Sequence, residues 1–552
     1  MGTPLKQRPL RVAVVGSGPA ALYCTDYLLE LAEAGKAYLQ DSIHLFRSRS
    51  KMSATQMETE HNTIFTVPGT PHFDYGCQYI TSGDPWFRKK MEDYESKGYC
   101  HRWPVHIIAA DGLSEPLVDS NGKPPGWVGT HGMWPLQENM VGDVIRRWKG
   151  KLELHSHSTK CPPAAGTKFP DNSNWRVETF SKNDIGEWVL VDKGGRKYGP
   201  YDMLVGAFDG HNQTNSQLNE PATKRLRRYL QDNLRFSPVI CAMVVFDRPL
   251  QAPFGGAFVV DDPRLAWVSN NGQKCAPDRA FPQDGREFWT FLAPADYSNE
   301  SFERDPRGYK QRAFKDFLEA FGAILGKDLH RFGPRMIRAL HWENGMPANT
   351  IPAETGCLFD PSEGLGWCGA FANYGSVEGA ALSGKKMAEL LAAVSRGEAA
   401  PEEAMYPPGA WPDMGVRTPP GYTRLGHGMF FMQHPRLHSI DAPDGRGNEE
   451  AAKFWKNFGA YGYGKGGGRQ DNAKSWEKTE EATGWKGKSG KGRGGKGKLA
   501  RSKGDYGEES SWYTNGAAEA ARPIGSGSGS GGGGGGQGSG YAPARRWSAK
   551  RS

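Results

Sequence analysis

The eight residues VVGSGPAA, 14 to 21, constrain the fold of this chain more than any other stretch. They close an apolar run, LRVAVVGS over 10–17, and open a segment with helical spacing, AALYCTDYLLELAEA over 20–34. A short β-branched run that breaks at glycine predicts a buried parallel strand. The segment after it predicts an amphipathic helix ending at Gly35, a residue suited to a C-terminal cap. A second strand, IHLF over 43–46, completes a βαβ unit.

The turn between strand and helix fits G-x-G-x-x-G/A through Gly16, Gly18 and Ala21, with Ser17, Pro19 and Ala20 filling the loop. Gly16 allows the tight turn, Gly18 lets a pyrophosphate approach the backbone, and Ala21 lets helix and strand pack closely. The helix N-terminus adds unpaired N–H groups and the positive end of a dipole. Placed between strand and helix, the motif predicts a dinucleotide-binding α/β architecture; the alternative is a glycine-rich turn in an unrelated α/β protein. Further along, 188–207 predicts a hairpin around Gly194-Gly195 and then an apolar strand. PVICAMVVF and GGAFVV, within 237–260, predict two more strands, and 309–325 an amphipathic helix. A last helix is predicted at VEGAALSGKKMAELLAAVS, after a glycine-rich turn.

Five further segments occur in order. FDYGCQYIT covers 73–81, HGM 131–133, LAWVSNNGQK 265–274 and ALHWENGMP 339–347, and GSVEGAALSG at 375–384 opens the last helix. Together with GSGPAA they resemble the renalase-like group of FAD-dependent oxidoreductases, within the flavin amine-oxidase and hydroxybenzoate-hydroxylase-type superfamily. Asp74, Gly76, Gln78, Tyr79 and Thr81 match that group's D-x-G-A-Q-Y-x-T segment, and Val377, Glu378, Gly379, Ala380, Leu382, Ser383 and Gly384 match its R-V-E-G-A-x-L-S-G segment. Gly132 and Met133 resemble its Gly-Met turn, Trp267 begins a W-x-x-x-N-x-x-K segment, and His341-Trp342 is similar to its H-R-W segment.

The resemblance implies an α/β fold: a Rossmann-like FAD-binding domain with an inserted, mostly β substrate domain, over 8–396. The dinucleotide-binding part would draw on about 8–85, 130–210 and 350–396, and the substrate part on about 86–129 and 211–349. Implied cofactor contacts are Gly16 to Ala21, Arg47, Lys51, Met52, Gln78, Tyr79, Gly132, Met133, Gly369, Val377 and Glu378; Trp267 and His341 are implied for substrate. The implied activity is hydride transfer from a small reduced substrate, a dihydronicotinamide or an amine, to flavin, with oxygen as the final oxidant. Such chemistry needs orientation and electrostatics more than a protein acid or base, so no catalytic residue is assigned. No nucleophile triad or clustered set of metal ligands stands out, and no metal is expected.

The sequence departs from the family at the cofactor. Arg47 stands where an acid usually holds the adenosine ribose, Arg49-Ser50-Lys51-Met52 replaces G-G-R-M, and Ala370 replaces the Asp of C-G-D. Three readings follow: FAD held through rearranged contacts, NADP held through Arg47 and a 2′-phosphate, or a cofactor-free binding or scaffold protein. Cys77 reads as a small packed residue before a redox thiol, and Glu378 reads equally as a capping acid or a cofactor contact.

Charge separates the C-terminal segment from the rest. Over 453–552, 19 Lys and Arg against 8 Asp and Glu leave +11, while the other 50 and 53 leave −3. That segment holds 27 Gly and no periodicity, and is expected to be a disordered tail after a Pro-rich linker over 397–452. Its Trp455, Tyr461, Tyr463, Trp476, Trp485, Trp512 and Trp547, among Lys, Arg and Gly, suit weak contact with RNA or another polyanion. The eight Cys are scattered and form no C-x-x-C pair, which suggests free thiols in a reducing compartment. The start has no apolar signal core, Lys6 stands where N-myristoylation wants Ser or Thr, and no run reaches about 18 apolar residues. A soluble, cytoplasmic protein is expected.

Overall fold

VAVV, the four residues of β1 (Val12–Val15), are all buried because the strand is sandwiched in a sheet. β1 pairs in parallel with β2 (Ile43–Arg47) on one side and with Met203–Gly206 on the other. α1 (Pro19–Glu33) connects β1 to β2, with proline at its start and Gly35, at φ 70°, beyond its end. The sheet runs Leu152–Ser156, β2, β1, Met203–Gly206, Leu365–Trp367, Leu358–Asp360. Its first five strands are parallel and the last is antiparallel.

The computed structural model describes residues 8–47, 59–61, 72–109, 112–118, 122–124, 126–156, 177–192, 194–207, 221–274, 285–351, 355–372, 375–398, 406, 423–425 and 430–432. Lys51, Met52, most of the expected linker and all of the expected tail lie outside the described residues. No described helix is long and apolar enough to cross a membrane.

Alternation along the central strands gives the parallel sheet two apolar faces. Val12, Val14 and Leu45 pack under α1, α3 (Met133–Arg147) and the final helix, Val377–Ser395. Ala13, Val15 and Phe46 pack against an antiparallel meander of Val177–Lys182, Trp188–Asp192 and Lys197–Tyr201. The predicted hairpin and apolar strand over 188–207 are its last two strands and Met203–Gly206. α1 and the final helix cross closely, for a Cβ on Gly384 would run into the carbonyl of Ala20.

A second, seven-stranded sheet runs Pro334–Pro347, Phe236–Phe246, Glu287–Leu292, Trp267–Asn270, Gly256–Val259, His106–Ala109, Gly112–Leu113. The expected strands in 237–260 are its second and fifth members. Ile240, Ala242 and Val244 face the helix Tyr309–Leu325, whereas Val239 and Cys241 face the core shared with α1. The 86–129 stretch divides between layers. α2 (Pro85–Ser96) puts Phe87 edge-on to Tyr23 of α1, while His106–Ala109 joins the second sheet. Described residues Cys24, Cys77, Cys100, Cys241, Cys357 and Cys368 are free thiols.

Candidate functional site

Four adjacent parallel strands end side by side: β2 at Arg47, β1 at Gly16, Met203–Gly206 at Ala207, and Leu365–Trp367 at Cys368-Gly369. Ligands of open α/β sheets bind beyond such carboxyl ends. The Gly16 N–H donates to the Phe46 carbonyl at 2.9 Å, and the Ala207 N–H to Val15 at 2.7 Å, so the turn is tied to both neighbours. A Cβ on Gly16 would collide with the Ala207 carbonyl, but one on Gly18 meets none of the described residues within 4 Å. The backbone at Gly18 therefore faces open space at the start of α1. Gln137 of α3 donates to the Ser17 carbonyl at 2.5 Å and fixes the loop from the side. Pro19, Ala20 and Ala21 are buried in the helix contact.

Arg47 is only 4% exposed. Its Nη2 donates to Glu138 Oε1 at 2.7 Å and its Nη1 to Oε2 at 3.4 Å. Its Nε is buried with no hydrogen-bond partner. The end of β2 thus carries an ion pair in which α3 supplies the acid that the strand lacks. Glu138 and Gln137 escaped the sequence reading, because nothing local marks two α3 residues as partners of β2 and of the glycine turn.

The 74–81 and 131–133 segments meet directly. The Met133 N–H, opening α3 after Gly132, donates to Asp74 Oδ1 at 2.9 Å. Gln78, expected to touch the cofactor, bonds both ends of its amide to the protein. Its Nε2 donates to the carbonyls of Asp74 (2.8 Å) and Gly76 (3.0 Å). Its Oε1 accepts from Ser269 Oγ (2.9 Å), Lys274 Nζ (3.0 Å) and Trp267 Nε1 (3.2 Å). Lys274 is fully buried, with Nζ 3.7 Å from Asp74 Oδ2 and 5.5 Å from the centre of the Trp103 ring. Beside this network Tyr79 is buried and stacked on Trp267. Burial pushes the Cys77 thiol up to about 12, so it behaves as a packed residue.

The two residues implied for substrate lie on different faces of the second sheet. Trp267 is fully buried in the Gln78 network. His341 stacks flat on Phe302 at 4.0 Å and edge-on to Tyr309, on the helix-covered face of the second sheet. Alternation turns its neighbour Trp342 to the opposite face, stacked on Tyr75 at 5.9 Å, with a buried Nε1 that has no hydrogen-bond partner. The member of the pair that faces the 74–81 segment is Trp342.

At the final helix, Ser376 caps the N-terminus by accepting from the Gly379 N–H at 3.0 Å. Val377 is buried behind it. Glu378 caps a different element: its Oε1 accepts from the N–H groups of Gly83 (2.8 Å) and Asp84 (2.6 Å) and from Ser82 Oγ (3.2 Å). Asp84 in turn caps α2. Burial outweighs these hydrogen bonds and pushes the Glu378 carboxyl up to about 7. The Gly369 N–H donates to Ser383 Oγ at 3.1 Å, joining the fourth strand end to the final helix. Ala370 offers no polar side chain there.

No protein-family profile matches the chain. Among solved structures, it is similar to cyclohexylamine oxidase from Brevibacterium oxydans IH-35A, with 12% identity, 70% of this chain and 99% of that one covered, and a TM-score of 0.44. A reduced UDP-galactopyranose mutase is 10% identical over 72% of this chain and 97% of its own, with a TM-score of 0.44. A putrescine oxidase solved with putrescine is 11% identical over 69% and 98%, with a TM-score of 0.42.

Proposed function

We propose that this chain is an FAD-dependent oxidoreductase of the renalase-like kind, acting on a small reduced substrate, a dihydronicotinamide or an amine, with oxygen as the final oxidant. The observation that carries this reading is the open backbone at Gly18, set at the N-terminus of α1 where neighbouring parallel strands end. Bound there, the flavin supplies the two-electron acceptor for a hydride. The loop Gly16 to Ala21 would hold its pyrophosphate through backbone N–H groups and the helix dipole. Arg47 would meet the adenosine end, and its buried, unpartnered Nε is a donor that a ligand oxygen or ring nitrogen satisfies. Gly132-Met133, Tyr79, Gly369 and the N-terminus of the final helix would flank the flavin end. Tyr75 and Trp342 would orient the substrate.

Glu138 argues against a preference for NADP. A 2′-phosphate at Arg47 would sit beside a carboxylate already 2.7 Å from that guanidinium, and like charges at such range repel. The pair and Ala370 together favour one competing reading, a cofactor-free binding protein. Gly18→Val separates the two. Gly18 has φ −92° and ψ −178°, which valine adopts freely, and no described residue stands within 4 Å of the added Cβ. Without flavin, the variant is expected to melt with the native chain; its FAD binding is expected to weaken by about 100-fold or more, through loss of about 3 kcal/mol of phosphate contact. Unchanged FAD binding in a folded Gly18→Val chain overturns the placement of the cofactor.

For the basic segment beyond the described residues, weak polyanion contact is the corresponding proposal. Single-stranded RNA retention by the full chain should fall steeply between low and moderate salt and vanish when 453–552 is removed.

A further inference from the structure

The sequence presents no metal motif, yet strand pairing gathers one set of ligands. β2 and Leu152–Ser156 run in parallel with His44 opposite Glu153 and Phe46 opposite His155. Glu153 and His155, two apart, share the face that His44 and Phe46 present to the meander. One ligand atom from each of His44, Glu153 and His155 falls within 4.8 Å of the others. We infer that His44, Glu153 and His155 form a site for a divalent transition-metal ion of the zinc or cobalt class, at the edge of the parallel sheet.

The distances leave room for an ion between the carboxylate and the two imidazoles. Glu153 Oε2 lies 3.5 Å from His44 Nε2, and Oε1 lies 3.3 Å from His155 Nε2. Good N–H···O bonds run at about 2.7–3.2 Å. Ligands about 2.0–2.1 Å from a tetrahedral ion stand about 3.3–3.4 Å apart. Two imidazoles and one carboxylate are also a donor set that zinc takes with its fourth position open to water. The second layer fits as well. His44 Nδ1 lies 2.9 Å from the Tyr201 hydroxyl. Donation from Nδ1–H to that oxygen fixes the tautomer and leaves Nε2 bare toward Glu153. Nδ1 also lies 3.1 Å from His155 Nε2, a contact that ion binding replaces. Phe46 stacks on the His155 ring at 4.5 Å and holds it flat. Glu153 and Asp41 supply negative charge near His44, and Arg196 places a positive charge near His155. A bound ion would pin the edge strand to β2.

The test uses the full chain, stripped with a chelator, then titrated with Zn2+ by calorimetry and with Co2+ by visible absorption. One saturable equivalent is expected, with a rise in melting temperature as ion is added. Glu153→Gln and His155→Gln should each lose binding by about 100-fold, and Tyr201→Phe by about tenfold. Glu153 has a side chain 54% exposed, so Glu153→Gln is expected to fold as the native chain does. The chain has 14 His, and loss on a single Glu153→Gln change assigns the ion to this place. Failure of the native chain to bind either ion, or equal binding by both ligand variants, overturns the inference.

Discussion

Lys274→Ala is expected to cost about 3–5 kcal/mol of folding stability, the range for breaking a buried ion pair from one side. Lys274 and Asp74 are both fully buried, and Lys274 also supplies one of the three donors to Gln78 Oε1. Without the ammonium, the Asp74 carboxylate stays inside the protein, held by the Met133 N–H at the start of α3. The loss comes from that stranded charge more than from a missing attraction. Lys274→Met with Asp74→Asn should therefore recover much of it. Both charges then leave together, the thioether stem refills the space, and the asparagine carbonyl still accepts from Met133. Urea unfolding of the two single variants and the double variant measures the coupling. A Lys274→Ala chain within about 1 kcal/mol of native contradicts this view of the network.

Glu378 should make stability fall as pH rises. Its carboxyl is pushed from 4.5 to about 7 in the folded chain by burial. Below about pH 4.5 the folded and unfolded chains both hold the proton, and Glu378 adds no pH dependence. Between 4.5 and 7 the folded chain keeps a proton that the unfolded chain has released, so stability declines. Above the folded value the decline is complete, at about 3 kcal/mol. Glu378→Gln removes this term. Its carbonyl can still accept from Gly83 and Asp84, so the variant should match native near pH 4 and exceed it near pH 8, by up to about 3 kcal/mol. Parallel stability curves for the two chains would place the ionised carboxylate comfortably in its site.

What the sequence made legible follows from local physics. β1, α1 and β2 showed because an all-apolar strand, a glycine turn and a 3.6-residue spacing are local patterns. Tyr309–Leu325 and Val377–Ser395 showed for the same reason. α3 did not: Pro135 lies in its first turn and Gly142 in its middle, so MWPLQENMVGDVIRR reads as a broken segment. Packing of Leu136, Met140 and Val144 against the core overrides that weak propensity. α2 was also hidden, for its twelve residues bury only Phe87, Met91 and Tyr94. At the candidate site the glycine turn was local and legible. The Arg47–Glu138 pair, the Gln78 network and the His44–Glu153–His155 cluster were not, since each joins residues far apart in sequence. The alternation that turns His341 and Trp342 to opposite faces could be read from adjacency alone, but which face meets the site could not.

The most direct test of the cofactor reading is the visible absorption spectrum of the purified full chain, followed by release and identification of any bound flavin. The account predicts an oxidised-flavin spectrum in the native chain, FAD as the released compound, and a colourless Gly18→Val chain. A folded native chain that is colourless and takes up no added FAD contradicts it.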